Sequence, residues 1–420
     1  MRHTNPTHLQ KAGTLAAGMV LLVLIGIRLA AAQPAAPAEP ELRRGQPVRE
    51  EEDGPENGDG RAGRRTAFYR RLAAKAEGGQ RGNPARLSHY LDVFKREVVK
   101  DARLFAFDVR ARTAADGAGA IVLEGFIEYV EQRDALLSFL RALGFDRIDD
   151  HIETATEAVA PGASRLGLVT SPRAFLFDRT ATPRETVSEC TIGEAVYLLS
   201  DEQDGHFLCH AGDGYVGYVG AGHVLRVDQR AFDDYRGGGA RVVLLKTIDH
   251  EGSKIPIGAT LKAAGGGVVL PDGRTIPVDS QDVRRVTIDP RVERVVETAL
   301  TMAGTKYVWG GKTAEGIDCS GLVQLAYRAH GVHLPRDSDQ QALVGGLVAT
   351  RWHRSGLRRG DTLFFLGRHG TVTHTALYLG DQRYVEAAGP DVRVSSFDPK
   401  DKAYAERNAR SFCFARRVLE

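Results

Sequence analysis

The 420-residue sequence lacks the features that define several common classes of protein. It has 4 cysteines, none of them in a C-x-x-C pair, which excludes a scaffold built on disulfides. It contains no H-E-x-x-H or comparable spacing of metal ligands, so we expect neither a metal ion nor another cofactor. Lys and Arg number 56 against 54 Asp and Glu, and this balance leaves no basic excess with which to bind nucleic acid.

Only the N-terminus has an apolar run that approaches the length of a membrane span. Arg2 and Lys11 precede the apolar residues 12–27, and three alanines at 30–32 supply a small-residue cleavage sequence. This order predicts an export signal, and an uncleaved membrane anchor is the alternative. Both interpretations place the rest of the chain outside the cytoplasm, in the periplasm or cell envelope, and only the anchor would attach it to a membrane.

Shifts in composition and pattern divide the chain. Residues 33–65 are rich in Pro, Ala, Gly, Glu and Arg and have no aromatic residue, so they cannot bury enough surface to fold. The predicted organisation is a signal peptide or anchor at 1–32, a disordered linker at 33–65, a small α+β domain at 66–160, a first barrel at 161–230, a second barrel at 238–288 and a catalytic domain at 289–420.

The small domain has a mixed helix and strand pattern. Apolar residues between Leu87 and Val98 recur at helical spacing, and strand patterns follow near 105–109 and 120–126. A second helix ends at Gly144, and residues 145–152 read as a third strand. This ββαβ order resembles the BON-type module of envelope proteins. It carries no chemical constellation, so we expect a binding or structural domain.

The next two regions read as small β-barrels. Short β runs separated by Gly and Asp turns extend from Leu166 to Val227, and residues 241–286 repeat this style. The string Asp-Gly-Tyr-Val-Gly-Tyr-Val at 213–219 resembles the last strand pair of bacterial SH3 (SH3b) domains, and the glycines at 237–239 would form a hinge. Cys190 and Cys209 both fall in the first barrel and could form a disulfide in an oxidising compartment.

The last region carries the candidate chemistry. Cys319 comes at the start of a helical pattern that stops at Gly331. Backbone N–H groups and the helix dipole at that position favour a thiolate, the nucleophilic form of cysteine. A cysteine flanked by apolar residues is more often part of a core, so a catalytic interpretation also needs a base within hydrogen-bond reach.

His374 is the best candidate for that base. It lies on a strand that ends in a tight turn at Gly380 and Asp381, and the returning strand carries Glu386. If the hairpin centres on that turn, Glu386 faces His374 within one or two positions and could orient the imidazole. A register slip of one residue would turn Glu386 to the other face.

Five ordered blocks between residues 291 and 419 closely resemble the NlpC/P60 family of cell-wall cysteine peptidases. They are Tyr-x-Trp-Gly-Gly at 307–311, Asp-Cys-Ser-Gly at 318–321, Leu-Pro-Arg-Asp-Ser at 334–338, Gly-Asp-x-x-Phe-Phe at 360–365 and the strand around His374. The resemblance implies a papain-like α+β fold, with the cysteine on a helix that packs against an antiparallel sheet.

Two barrels ahead of such a domain resemble the subgroup that cleaves the γ-D-glutamyl bond to the diamino acid of peptidoglycan peptides. This resemblance implies four substrate contacts, which are Tyr307, Asp318, Ser338 and, from the first barrel, Tyr215. Asp318 would supply a negative charge for the free amine of an N-terminal L-Ala. The acidic partner from the barrel stays open between Glu189 and Glu194.

We therefore expect an exported cysteine peptidase that acts on peptidoglycan stem peptides with a free N-terminal L-Ala through a thioester on Cys319. The family's third catalytic position is usually histidine or a neutral polar residue, so Glu386 is a departure, and we expect activity to be retained. The alternatives are an endopeptidase on intact cell wall, a related acyltransferase or amidase, and a non-catalytic wall-binding protein.

Overall fold

A computed structural model describes residues 58–114, 120–237, 240–286 and 291–420 of the chain. The predicted signal at 1–32 and two of the hinge glycines, Gly238 and Gly239, lie outside these residues. None of the described helices is long and apolar enough to cross a membrane. The residues from Ala62 to Glu420 belong to one compact unit, so the contacts between its parts can be described.

The small α+β domain has three helices and a three-stranded sheet. Their bounds are α1 Gly58–Glu77, α2 Leu87–Phe94, β1 Phe107–Thr113, β2 Ile121–Ile127, α3 Val130–Ala142 and β3 Ile148–Thr154, and α2 continues as a π-helical turn over Lys95–Val99. Strand β2 is central, antiparallel to β1 and parallel to β3. This is the predicted ββαβ order, with one more helix ahead of it.

Helix α1 corrects the predicted limit of the disordered linker. It begins at Gly58, inside the segment that was predicted to be disordered as far as Arg65. Tyr69, Leu72 and Ala73 are buried in the core of the small domain, so its later turns are held by packing. Extending a helix costs little free energy once one of its turns is fixed. The polar turns before Tyr69 therefore continue the helix although they are not held by the core.

The region predicted to be a first barrel, for which we keep that name below, forms a seven-stranded antiparallel sheet. The strands are β4 Leu166–Val169, β5 Arg173–Phe177, β6 Thr186–Thr191, β7 Ala195–Leu198, β8 His206–His210, β9 Val216–Gly220 and β10 Val224–Val227, in the order β10-β4-β7-β8-β9-β5-β6. Cys190 and Cys209 are both buried in its core as free thiols, so the disulfide considered from the sequence is absent.

An unpredicted helix, α4 Gln229–Gly237, joins the two sheets. It buries Phe232 and Tyr235 against Leu168 and Ala195 of the first sheet. The second barrel region has strands β11 Arg241–Leu244, β12 Ile248–His250, β13 Ser253–Ile255, β14 Thr260–Ala264, β15 Gly267–Val269, β16 Thr275–Pro277 and β17 Val283–Arg285. Five of them form the sheet β16-β15-β14-β11-β17, and β12 and β13 form a separate hairpin.

The C-terminal region packs helices against a six-stranded antiparallel sheet. Its elements are α5 Val292–Thr301, β18 Lys312–Thr313, β19 Gly316–Ile317, α6 Cys319–Arg328, α7 Ser338–Gln341, β20 Gly346–Thr350, β21 Thr362–Leu366, β22 Val372–Gly380, β23 Arg383–Ala388, β24 Asp391–Ser396, α8 Glu406–Ser411 and β25 Phe412–Arg417. The sheet order is β20-β25-β21-β22-β23-β24. Leu322 and Leu325 of α6 share a buried core with Leu377 and Val385 of the sheet, as the family resemblance implied.

Candidate active site

Cys319 occupies the first position of α6, as the sequence predicts. Asp318 is the N-cap residue, and its carboxylate accepts a hydrogen bond of 2.7 Å from the backbone N–H of Gly321. Cys319 is only 7% exposed, yet it lines a cavity of about 710 Å³ together with Tyr307, His374 and Glu386. The thiol therefore lies at a helix N-terminus, where a thiolate is favoured, and beside a space that can hold a substrate.

Strands β22 and β23 bring His374 and Glu386 together. The observed register pairs Leu377 with Val385 and Tyr378 with Tyr384. If the register continues, Glu386 lies opposite Ala376, and His374 is two residues further along on the same face. His374 and Glu386 are thus diagonal neighbours on one face of the sheet. Their side chains meet, since Nε2 of His374 lies 2.6 Å from Oε2 of Glu386. This leaves Nδ1 as the ring nitrogen that can exchange a proton with the thiol.

The electrostatics of His374 favour the imidazolium form. Burial lowers the pKa of His374, but hydrogen bonds to the Cys319 side chain and to Glu386, together with their charges, outweigh burial and raise it to about 9. Near neutral pH the imidazole is therefore mostly protonated, and it can stabilise a thiolate on Cys319.

Two residues that the sequence analysis missed hold Glu386 in place. Ser395 on β24 donates a hydrogen bond of 2.6 Å to Oε1, and Asn408 on α8 donates one of 2.8 Å to Oε2. Burial raises the pKa of Glu386, but the hydrogen bonds from His374, Ser395 and Asn408 lower it by more than burial raises it. The net pKa is below the usual value, so the carboxylate stays ionised. Neither residue belongs to a motif, so no local signal could have identified it.

Asp318 is held by several hydrogen bonds. Its two carboxylate oxygens accept hydrogen bonds from both terminal nitrogens of Arg336, at 3.1 and 2.6 Å, from the N–H groups of Gly310 and Gly321, and from Ser320. A carboxylate has about four lone-pair sites, so these bonds engage both of its oxygens. Asp318 is only 4% exposed. It caps α6 and binds Arg336, and its contact with a substrate amine stays a prediction.

The other predicted substrate contacts divide into two groups. Tyr307 lines the cavity with Cys319, and burial raises its pKa, so its hydroxyl stays protonated and can donate a hydrogen bond. Ser338 opens α7, and both it and Tyr215 are buried and do not line the cavity. Burial chiefly raises the pKa of Tyr215, and the charge of Asp337, directly before Ser338, raises it further.

Neither acidic candidate from the first barrel is free. Glu189 is fully buried, accepts a hydrogen bond of 2.7 Å from the backbone N–H of Lys312, and pairs with Arg173. Glu194 lies 3.7 Å from the ammonium of Lys312 and 3.7 Å from a guanidinium nitrogen of Arg328. Both carboxylates therefore attach the barrel to the catalytic region.

Lys312 is the centre of this attachment. Its side chain is 1% exposed, and Nζ lies 3.1 Å from Oδ2 of Asp213 on the first barrel. Gln324 donates to the same oxygen at 3.1 Å, and Ser188 of the barrel is 3.1 Å from Nε of Arg336. The first barrel is thus bound through buried polar groups to the segment that leads into Cys319.

Comparisons with known proteins agree with this geometry. The NlpC/P60 family model matches residues 304–410. The chain is 41% identical over 116 residues to dipeptidyl-peptidase 6 of Lysinibacillus sphaericus and 30% identical over 122 residues to the γ-D-glutamyl-L-lysine dipeptidyl-peptidase of Bacillus cereus. These matches cover 27% and 29% of this chain and only 40% and 35% of the two relatives.

A solved structure extends the likeness in fold. The crystal structure of an NlpC/P60 family protein from Bacillus cereus matches with a TM-score of 0.52 and 19% sequence identity. The match covers 61% of this chain and 100% of that protein, so it reaches well beyond the matched family domain.

Proposed function

From the premise that residues 304–410 form an NlpC/P60 domain, we propose that this chain is an exported cysteine peptidase that cleaves the γ-D-glutamyl bond to the diamino acid in peptidoglycan stem peptides. The observation that carries the proposal is the hydrogen-bonded series Cys319, His374 and Glu386 at one cavity. The names of two relatives, dipeptidyl-peptidase 6 and γ-D-glutamyl-L-lysine dipeptidyl-peptidase, support this bond as the target.

The reaction follows from the positions of these groups. The Cys319 thiolate attacks the γ-glutamyl carbonyl carbon, and the His374 imidazolium gives its proton to the departing amine as the C–N bond breaks. The resulting thioester is hydrolysed by water that His374 deprotonates, which releases the glutamyl carboxylate and restores the thiol. The N–H of Cys319, at the start of α6, and the hydroxyl of Tyr307 stabilise the oxyanion.

We propose further that the first barrel restricts the enzyme to short peptides with a free N-terminal L-Ala. Support for this comes from the buried attachment of Glu189 and Asp213 to Lys312, which holds the barrel beside the segment that leads to Cys319. We assign this selection to the space that the barrel closes together with the negative charge of Asp318, which also binds Arg336.

Two peptides test this function. The full chain, its Cys319→Ala variant and a Cys413→Ala control would be incubated with L-Ala-γ-D-Glu-diamino acid, with and without an N-acetyl group, and the products identified by mass spectrometry. Cys413 lies on β25 and does not line the cavity, so its variant should cleave normally. We expect L-Ala-D-Glu from the free peptide alone, and none with Cys319→Ala.

The other outcomes point to the alternatives. Equal cleavage of the acetylated peptide would show that the barrel does not gate the site and would favour an endopeptidase on intact cell wall. If the chain binds the peptides but cleaves neither, the proposal fails and a wall-binding protein is favoured.

A further inference from the structure

The charges that line the catalytic cavity are almost all basic. Arg393, Lys402 and Arg407 line it beyond His374, on strand β24, the loop after it and helix α8. Among the described residues, the only acidic one that lines it is Glu386, whose oxygens are bound to His374, Ser395 and Asn408. This part of the cavity, which we call the α8 side of Cys319, therefore offers positive charge and no free carboxylate.

Two of the three cations have no protein partner. Nη1 of Arg393 donates to the carbonyls of Ala388 and Gly389 at 2.7 and 3.2 Å and is fixed on its own hairpin. Lys402 and Arg407 are exposed, and within the described part of the chain neither side chain makes a hydrogen bond or an ion pair. They line the cavity as cations that a ligand can reach.

We infer that Lys402 and Arg407 form a subsite for a carboxylate on the departing part of the substrate. The inference rests on the proposed function. The acyl part and the leaving group lie on opposite sides of the scissile bond. The first barrel, which would close the acyl side, is bonded to the segment before Cys319 and lines no part of the cavity that holds Lys402 and Arg407, so we place the diamino acid toward these two cations. Arg and Lys side chains bind carboxylates by charge-assisted hydrogen bonds, whereas a side chain that ends only in an ammonium is repelled.

Two carboxylates could fill this subsite. One ends the side chain of diaminopimelate and is missing from lysine, and the other is the C-terminal carboxylate of the peptide. The test compares L-Ala-γ-D-Glu peptides that end in diaminopimelate or lysine, each with a free or amidated C-terminus. The double variant Lys402→Gln/Arg407→Gln is matched by Lys400→Gln/Arg410→Gln, which removes two exposed cations that do not line the cavity.

We expect the cavity variant to raise KM about five- to tenfold for the substrate with the recognised carboxylate, and the matched control to leave it unchanged. A loss confined to diaminopimelate peptides assigns the side-chain carboxylate, and a loss confined to free C-termini assigns the terminal one. If the cavity variant and the matched control both keep the KM of the unaltered chain for all four peptides, the subsite is overturned. Calorimetric binding of the same peptides to Cys319→Ala forms keeps this result separate from a failure of catalysis.

A second, independent observation concerns the small α+β domain. Arg103, in the segment before β1, reaches helix α7 of the catalytic region. Its Nη1 lies 2.9 Å from both Asp337 and Asp339, and its Nη2 lies 2.9 Å from Asp339 and 2.7 Å from Asp101. Gln340 completes the cluster by donating to Asp101 at 2.9 Å.

The same segment also contacts the first barrel. The carbonyl of Arg103 accepts a hydrogen bond of 2.7 Å from Val216, the residue after Tyr215. Arg103 therefore lies where the small domain, the first barrel and α7 meet. Helix α7 has only four residues, too few to be stable alone, so its position depends on such bonds.

The geometry points to Arg103 as a positioning residue that holds α7 for substrate binding. Gln341 of α7 donates a hydrogen bond of 3.0 Å to the carbonyl of Ser320, the residue after Cys319, so the position of α7 bears on the catalytic helix. This inference also rests on the proposed function. It gives the small domain a role in the reaction although it lines no part of the cavity.

The test uses Arg103→Ala, the exchange Arg103→Asp/Asp339→Arg, and Arg110→Ala, which removes an exposed arginine from the same domain. We expect Arg103→Ala to raise KM about tenfold with kcat within twofold, the exchange to recover most of that loss, and Arg110→Ala to have no effect. The rate of amide hydrogen exchange at residues 336–341 should increase in Arg103→Ala and not in the other two variants. This measurement does not depend on cleavage, so it separates the inference from the proposed function. Unchanged KM and exchange in Arg103→Ala would overturn the inference.

Discussion

The two sides of Cys319 differ in how their charges are used. The barrel side comprises Glu189, Asp213, Lys312, Asp318 and Arg336. All five charged groups are paired, and all are buried except Asp213, which is partly buried. On the α8 side, Lys402 and Arg407 are exposed and unpaired among the described residues. Removing one partner from a buried pair leaves the other charge with neither a partner nor water, which destabilises the fold. An exposed cation needs no partner, because water hydrates it.

This difference separates two kinds of specificity. The buried pairs fix the barrel side, so we propose that it selects a substrate chiefly by the space that it leaves. The α8 side can rearrange around a ligand and selects by charge. A substrate suits this arrangement if its N-terminal part is short and fixed in size, next to the barrel side, and its leaving group varies in charge, next to the α8 side.

The largest effect should come from breaking a buried pair on the barrel side. Arg336→Met leaves the Asp318 carboxylate buried at 4% exposure without its partner. We expect the free energy of unfolding to fall by about 3–5 kcal/mol. Lys402→Met, the same kind of change on the α8 side, should alter it by less than about 0.5 kcal/mol. Urea denaturation of both variants measures the contrast, and equal losses would contradict it.

A smaller effect on stability but a clear one on catalysis is expected from Glu386→Gln. The variant loses the charge that helps to raise the pKa of His374, so the imidazolium is less stable. We expect kcat to fall at least tenfold, about 1.4 kcal/mol in the barrier. The imidazolium form is lost as pH rises through the pKa of His374, so the alkaline limb of kcat/KM should move to lower pH.

Ser395→Ala is the matched control for this prediction. It removes one hydrogen bond to Glu386 and keeps the charge, so both changes should be weaker. A Glu386→Gln enzyme with unchanged kcat and an unmoved limb would show that another residue orients His374.

The sequence predicts the catalytic residues better than the charge pairs of the barrel side, for physical reasons. Cys319, His374 and Glu386 lie on a helix start and a hairpin, whose periodicity and turn place them within a few residues of their observed positions. The bond between Asp318 and Arg336 could not be predicted, because the two residues are 18 apart in the sequence and no local pattern joins them. The bond from Lys312 to Glu189 spans 123 residues, and a single sequence carries no trace of it.

Helix α4 shows the same limit at the level of secondary structure. Its helical pattern contains only two large apolar residues, Phe232 and Tyr235, and both are buried against the first sheet. Tertiary packing therefore decides the conformation of a segment whose own sequence is mostly polar.

The smallest predicted effect concerns a third kind of pair, buried between the small domain and the first barrel. Nε2 of His210 lies 2.9 Å from Oε1 of Glu128. Burial lowers the pKa of His210, but the hydrogen bond to Glu128 outweighs burial and raises it above 6.5. Burial raises the pKa of Glu128, and its hydrogen bonds from His210 and Ala106 lower it below 4.5.

The sign of the pH dependence follows from these directions. The raised pKa of His210 adds stability that is fully present below pH 6.5 and is lost as pH rises through the folded-state pKa. The lowered pKa of Glu128 adds stability that is present above pH 4.5 and is lost on acidification. The pair should therefore stabilise the junction most between pH 4.5 and 6.5. Between pH 6 and 9 the midpoint of thermal unfolding of the unaltered chain should fall as this contribution is lost. In His210→Gln we expect that fall to be smaller by about 2–4 °C. His151→Gln, which alters an exposed histidine of the small domain, should keep the original slope, and an unaltered slope in His210→Gln would show that this junction does not respond to pH.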